Sequence, residues 1–202
     1  MSLYKKLTII ITGILVFVVV FSFVKSSPMT SSEVDEYMKN INQLSQTLGG
    51  EFGHKQLREF FQSDDGEAFY TVNLYKYHDE VPARTSSLPS ISGREVYDRF
   101  SKVMIKLLFK NYSYPVFGSN WLDLSENGWD RIVIVRYRSR RDMAEIYSDP
   151  KFVIANIDKL ASLKEHERFV VKALHLPEVY MLLILFICIF FTALFVKKIK
   201  YS

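Results

Sequence analysis

Two stretches of the chain carry no polar periodicity. Residues 7–24 and 179–196 each run 18 residues without a charged side chain. At 1.5 Å per helical residue, each would span roughly 27 Å, close to the roughly 30 Å of a bilayer's hydrocarbon core. Both are therefore expected to be transmembrane helices. The first exceeds the usual apolar run of a signal peptide, and no clear small-x-small cleavage site follows it. Lys5 and Lys6 precede it, and Lys197, Lys198 and Lys200 follow the second. The positive-inside rule then puts both termini in the cytoplasm. The expected protein is a two-pass protein of the plasma (inner) membrane with a periplasmic or extracellular central domain. Its expected segments are a cytoplasmic tail (1–6), a span (7–24), a linker with a helical extension (25–66), a folded domain (67–176), a second span (179–196) and a second tail (197–202).

Between these stretches the period switches repeatedly. Val34, Tyr37, Met38, Ile41, Leu44 and Leu48 recur at helical spacing, opened by Ser32 with Asp35 or by Thr30 with Glu33 and stopped by Gly49-Gly50. A shorter helix is expected over 54–62, followed by a turn at 63–66. Residues 68–77 read as a strand rich in aromatic and β-branched side chains. A long loop, 79–91, carries Pro82 and Pro89 and has the length of a lid or binding loop. Ser92-Gly93-Arg94-Glu95 is a capping box ahead of a helix through Leu108. Strands follow over 114–124 and 130–138, joined by a turn at 125–128. Then come a short helix to Tyr147, a second over 151–162 and a last strand over 168–174. This strand–helix–strand–strand–helix–strand order is the ferredoxin-like βαββαβ arrangement, an α+β fold with an antiparallel sheet and helices on one face. The other face must be covered, and sheet-to-sheet dimerisation is the usual cover.

The run Val72-Asn73-Leu74-Tyr75-Lys76-Tyr77 resembles the first-strand motif of a family within the dimeric α/β-barrel superfamily known only as a domain of unknown function. The run from Trp129 to Arg140, with Asp149-Pro150-Lys151-Phe152, looks like that family's third strand and following helix. The resemblance covers roughly 68–175. It implies a ferredoxin-like domain that pairs into a barrel. Its relatives include heme-binding proteins, antibiotic-biosynthesis-type monooxygenases and isomerases.

Charge changes the picture of the partners. The chain carries 26 basic and 22 acidic side chains for a net +4, but five of the lysines lie in the tails. Residues 25–178 are left at −1, so basicity marks topology, and no nucleic-acid partner is expected. The expected partners are the bilayer, a second copy or a membrane-protein complex, and a small-molecule ligand. The one cysteine, Cys188, falls in the second apolar stretch, which excludes an intramolecular disulfide framework and a cysteine metal cluster.

Alternation along the first strand puts Thr71, Asn73, Tyr75 and Tyr77 on one face and Tyr70, Val72, Leu74 and Lys76 on the other. The second, more aliphatic set is expected under the helices, and the first toward a barrel cavity. Asn73, Tyr75 and Arg136 are the cavity candidates, with Arg136 a fixed cation suited to a carboxylate. His78, beside Asp79 at the strand's end, is a candidate base. His54, His78, His166 and His175 are scattered without metal-ligand spacing, so no metal is expected. No cofactor is expected either; heme, through His166 or His175, is the one left open. Arg138, Arg140 and Arg141 cluster at a helix start, where Arg141 can pair with Glu145 one turn on. Asp64-Asp65 read as a solvated turn, and Trp121 and Trp129 as cover for a sheet edge or interface. No serine nucleophile elbow, phosphate loop or dinucleotide fingerprint occurs. The expectation is a membrane-anchored binding or accessory module with no evident catalytic constellation, leaning away from an enzyme. The alternative is a dimeric-barrel enzyme, monooxygenase- or isomerase-like, acting on a small hydrophobic or aromatic compound.

Overall fold

The structure is a computed structural model that describes residues 6, 9–13, 16, 25–48, 54–81, 91–120, 128–172 and 176–200. It divides into two compact units, one of residues 25–172 and one made of 1–24 with 173–202.

The larger unit opens with α1 (Ser31–Leu48) and α2 (His54–Gln62). Thr30 starts α1: its backbone N–H donates to Glu33 Oε2 at 2.8 Å, and its hydroxyl accepts from the Glu33 N–H at 3.3 Å. This reciprocal pair is a capping box. Val34, Met38, Ile41 and Ser45, spaced four, three and four apart, form the fully buried stripe of α1. The helix packs against α2, α4 (Arg140–Tyr147) and α5 (Pro150–Ser162).

The four strands are β1 (Phe69–Tyr77), β2 (Tyr114–Asn120), β3 (Arg131–Tyr137) and β4 (Leu163–Val171), all antiparallel in the order β2-β3-β1-β4. With α3 (Gly93–Lys110) between β1 and β2, and α4 and α5 between β3 and β4, this is the split βαββαβ topology expected from the periodicity. Each helix start has a local cause. Ser92 and Glu95 form the capping box of α3, Ser139 accepts from the Asp142 N–H at α4, and Asp149 with Pro150 opens α5.

Two expectations about the sheet are corrected. The last strand starts at Leu163 and follows α5 with no intervening loop, where the sequence suggested 168–174. Its first half, Lys164-Glu165-His166-Glu167-Arg168, is charged because β4 is an edge strand, and those charges hid it. The faces of β1 are also reversed. Phe69, Thr71, Asn73, Tyr75 and Tyr77 are all buried and face the helices, whereas Val72 and Leu74 are half-buried on the other side. That other side also carries Ile132 and Ile134, which pair with Leu74 and Val72, and Phe169, paired with Val72 and 50% exposed. The aromatic rings decide the outcome. Phe69 stacks on Tyr137, and Tyr75 and Tyr77 meet Tyr97 of α3, building the layer between sheet and helices.

Gly93 fixes how that layer closes. A Cβ there would lie 2.4 Å from the Ser162 carbonyl oxygen and 2.6 Å from that of His78. The space is taken by backbone because the His78 N–H donates to Ser162 O at 3.0 Å and the Gly93 N–H to His78 O at 2.9 Å. The end of β1, the start of α3 and the end of α5 are thus tied at one point.

In the smaller unit, α6 (Leu176–Lys200) is apolar, and residues 9–13 are helical. Among the described residues no helix is long and apolar enough to cross a membrane. The expected pair of spans at 7–24 and 179–196, and the two-pass inner-membrane localisation built on them, are corrected accordingly. The middle of the long loop (82–90), the 121–127 turn region with Trp121, His175, and the side chain of His54 lie outside the described residues.

Candidate functional site

A cavity of about 360 Å³ lies between the inner face of the sheet and helices α3 and α5. Asn73 and Tyr75 of β1, Val133 and Val135 of β3, Tyr97, Phe100, Met104 and Leu108 of α3, and Lys159 of α5 are among its walls. At roughly 30 Å³ per water-sized group, the space holds about a dozen non-hydrogen atoms.

One end of the cavity is polar. Asn73 is buried, and its amide nitrogen donates to Thr71 Oγ1 at 3.1 Å and to the Val133 carbonyl at 3.2 Å. Its Oδ1 accepts from Arg168 Nε at 3.2 Å and lies 3.3 Å from His166 Nε2. Arg168 Nη1 donates to the Tyr147 hydroxyl at 2.9 Å. Although β4 is an exposed strand, the His166 ring lies flat against Tyr75, with centroids 4.9 Å apart. Burial of that ring, with Lys159 and Arg168 positive nearby, pushes the His166 pKa down to about 3, so the imidazole is neutral at physiological pH.

Lys159 is 5% exposed. Its ammonium nitrogen is 5.6 Å from the Tyr75 ring centroid and 5.7 Å from that of Phe100. Burial, reinforced by the Arg168 charge, holds its pKa well below the usual lysine value. Tyr75 and Tyr137 are pushed the other way by burial, so their hydroxyls stay protonated.

The sequence candidates separate in space. Asn73 and Tyr75 line the cavity; Arg136 does not. It pairs in register with Tyr70, on the opposite face, and its guanidinium lies over the Tyr114 ring at 5.5 Å. Arg136 as the partner of Asn73 is corrected: strand pairing puts Val133 beside Asn73 and moves Arg136 three positions along, to the other side of the pleat. His78 is exposed, and its backbone serves the Gly93 junction, away from the cavity walls.

The basic cluster also resolves differently. Arg141 reaches Glu33 of α1 at 2.6 Å, in place of the expected Glu145. That pairing, with the Thr30 cap, lowers the Glu33 pKa to about 2. Arg140 pairs with Asp65 at 2.9 Å, and Arg138 with Asp142 at 2.7 Å. The expected solvated turn therefore works as an anchor: Asp65 also pairs with Lys172, and Asp64 accepts from the Met29 N–H at 3.0 Å.

Lys159, Arg168 and His166 form the polar end, and sequence reasoning did not bring them together. Lys159 had a readable signal. Phe152, Ala155, Asn156, Lys159 and Ser162 fall on one helical stripe, and all are buried. Arg168 had none once the last strand was placed too late.

No protein-family model matches the chain. No curated protein matches it. Among solved structures it is similar to a protein of unknown function from Rhodopseudomonas palustris, with 17% identity, 62% of this chain and 96% of that one covered, and a TM-score of 0.54. The methylated form of that protein aligns with a TM-score of 0.55 at 17% identity, covering 62% of this chain and 94% of that one. A dimeric protein of unknown function with a ferredoxin-like fold from Bacteroides fragilis aligns at 12% identity over 52% of this chain and 96% of that one, with a TM-score of 0.37. The Rhodopseudomonas likeness is one of fold.

Proposed function

We propose that residues 25–172 are a small-molecule binding module that takes a small aromatic or apolar compound between the sheet and helices α3 and α5. The observation that carries this reading is the cavity of about 360 Å³ walled by Tyr75, Tyr97, Phe100, Leu108 and Val133. Its volume falls within the range of small-ligand sites, and its mostly apolar lining with a few convergent polar groups has their chemistry. Neutral aromatic probes such as indole, titrated at millimolar concentration, are expected to raise the melting temperature by mass action. Val133→Phe, which fills the cavity from β3, should fold and lose that shift. A melting temperature unmoved by indole in the unmodified chain, or moved equally in Val133→Phe, would remove the support.

A second reading, self-association through the opposite sheet face, is favoured by a separate observation. Val72, Leu74, Ile132 and Ile134 lie side by side there, and Phe169 is 50% exposed. Apolar side chains grouped on one face suit a partner surface.

A further inference from the structure

The cavity's charges do not balance. Among the described residues its walls include three basic side chains, Arg131, Lys159 and Arg168, and no Asp or Glu. Arg131 has an acid partner in Asp98, 3.7 Å away. Lys159 and Arg168 have none among the described residues. Arg168 is held by two neutral acceptors, Asn73 Oδ1 and the Tyr147 hydroxyl. Such acceptors fix the direction of the guanidinium toward the cavity, while the residue itself lies on the exposed edge strand. Lys159, 5% exposed, has its ammonium over the faces of Tyr75 and Phe100. An amine set between two ring faces and the cavity gives up part of its hydration, and two like charges brought together add repulsion. Here the protein supplies the cations and the donors, with Arg168 oriented by Asn73 and Tyr147, and among the described residues no matching anion lines the cavity.

Resting on the pocket reading above, we propose that the ligand is a small aromatic carboxylate. Its carboxylate is received by Lys159 Nζ and the Arg168 guanidinium, and its ring lies against the wall formed by Tyr75 and Phe100. A guanidinium matches the planar carboxylate, and the aromatic wall matches the remainder. An aryl group, a two-carbon link and a carboxylate have about the dozen non-hydrogen atoms that the volume allows.

The test compares isosteric pairs by titration calorimetry on the full chain: 3-phenylpropionate against 3-phenylpropionamide, and phenylacetate against phenylacetamide. In the unmodified protein each acid should bind at least tenfold more tightly than its amide. In Lys159→Met and in Arg168→Gln the preference should fall below threefold while amide binding is kept. Circular dichroism establishes that each variant is folded, and Arg168→Gln, on an exposed strand, carries the test alone if Lys159→Met does not fold. Equal affinity for acid and amide in the unmodified protein overturns the proposal and leaves the pocket reading standing. So does an acid preference that survives in the folded variants. Failure of indole, acids and amides alike overturns the pocket reading itself.

Discussion

Lys159 shows what a single side chain can cost a fold. Its position on the buried stripe of α5 sets its amine between two aromatic rings and the cavity, and desolvation of such a group costs about 1–3 kcal/mol. Methionine matches its length without the amine. Lys159→Met is therefore expected to raise stability by about that amount at pH 7, measured by denaturant unfolding. The pH dependence has a definite sign. The folded pKa of Lys159 is depressed, so between that value and about 10.4 the unfolded chain binds the extra proton, and stability rises with pH. Tyr75 and Tyr137, whose pKa values are raised, act in the opposite sense only above about 10. The advantage of Lys159→Met should thus shrink between pH 7 and pH 10. An advantage that stays constant over that range would show that the amine is not desolvated.

At the scale of elements, the Gly93 junction carries more than any one helix contact. It ties β1, α3 and α5 through two backbone hydrogen bonds at a separation that admits no side chain. Gly93→Ala forces backbone against backbone. It should cost about 1–3 kcal/mol or more in unfolding free energy and displace α3 from the cavity, so indole binding should weaken in the same variant. Normal stability in Gly93→Ala would show that the junction can open freely. The elements themselves were largely legible. The stripe Val34, Met38, Ile41 and the box Ser92-Glu95 placed α1 and α3, and alternation with aromatic enrichment placed β1. Alternation says which residues share a face and not which face is covered. Both sides of β1 are apolar enough for either role, so its orientation had to come from the packing of Tyr75 and Tyr77 on Tyr97. Half of the site was legible in Asn73 and Tyr75. Arg168 was not, because a charged edge strand carries no hydrophobic alternation to read.

At the scale of the molecule, the sheet has two faces with different tasks. One closes over the cavity; the other presents Val72, Leu74, Ile132, Ile134 and Phe169. If this second face joins two copies, light scattering on residues 25–172 should give twice the monomer mass, and Ile134→Arg should return it to the monomer without moving the melting temperature by more than a few degrees. A monomeric mass for the unmodified domain at tens of micromolar would remove the self-association reading.

The two strands at the sheet's margins bear on how such copies could meet. On β4, Lys164, Glu165, Glu167 and Arg168 crowd one margin. On β2, Pro115 removes a donor, and the register slips between Pro115 and Phe117. Neither margin offers a clean template for a further strand, so lateral growth of the sheet from copy to copy is blocked on both sides. Pairing of copies through the sheet is then left to its apolar face, and a face that meets its own copy is used up by that meeting. The architecture favours closed pairs over open-ended fibres, and the same charges that hid β4 in the sequence oppose the addition of a further strand at that edge.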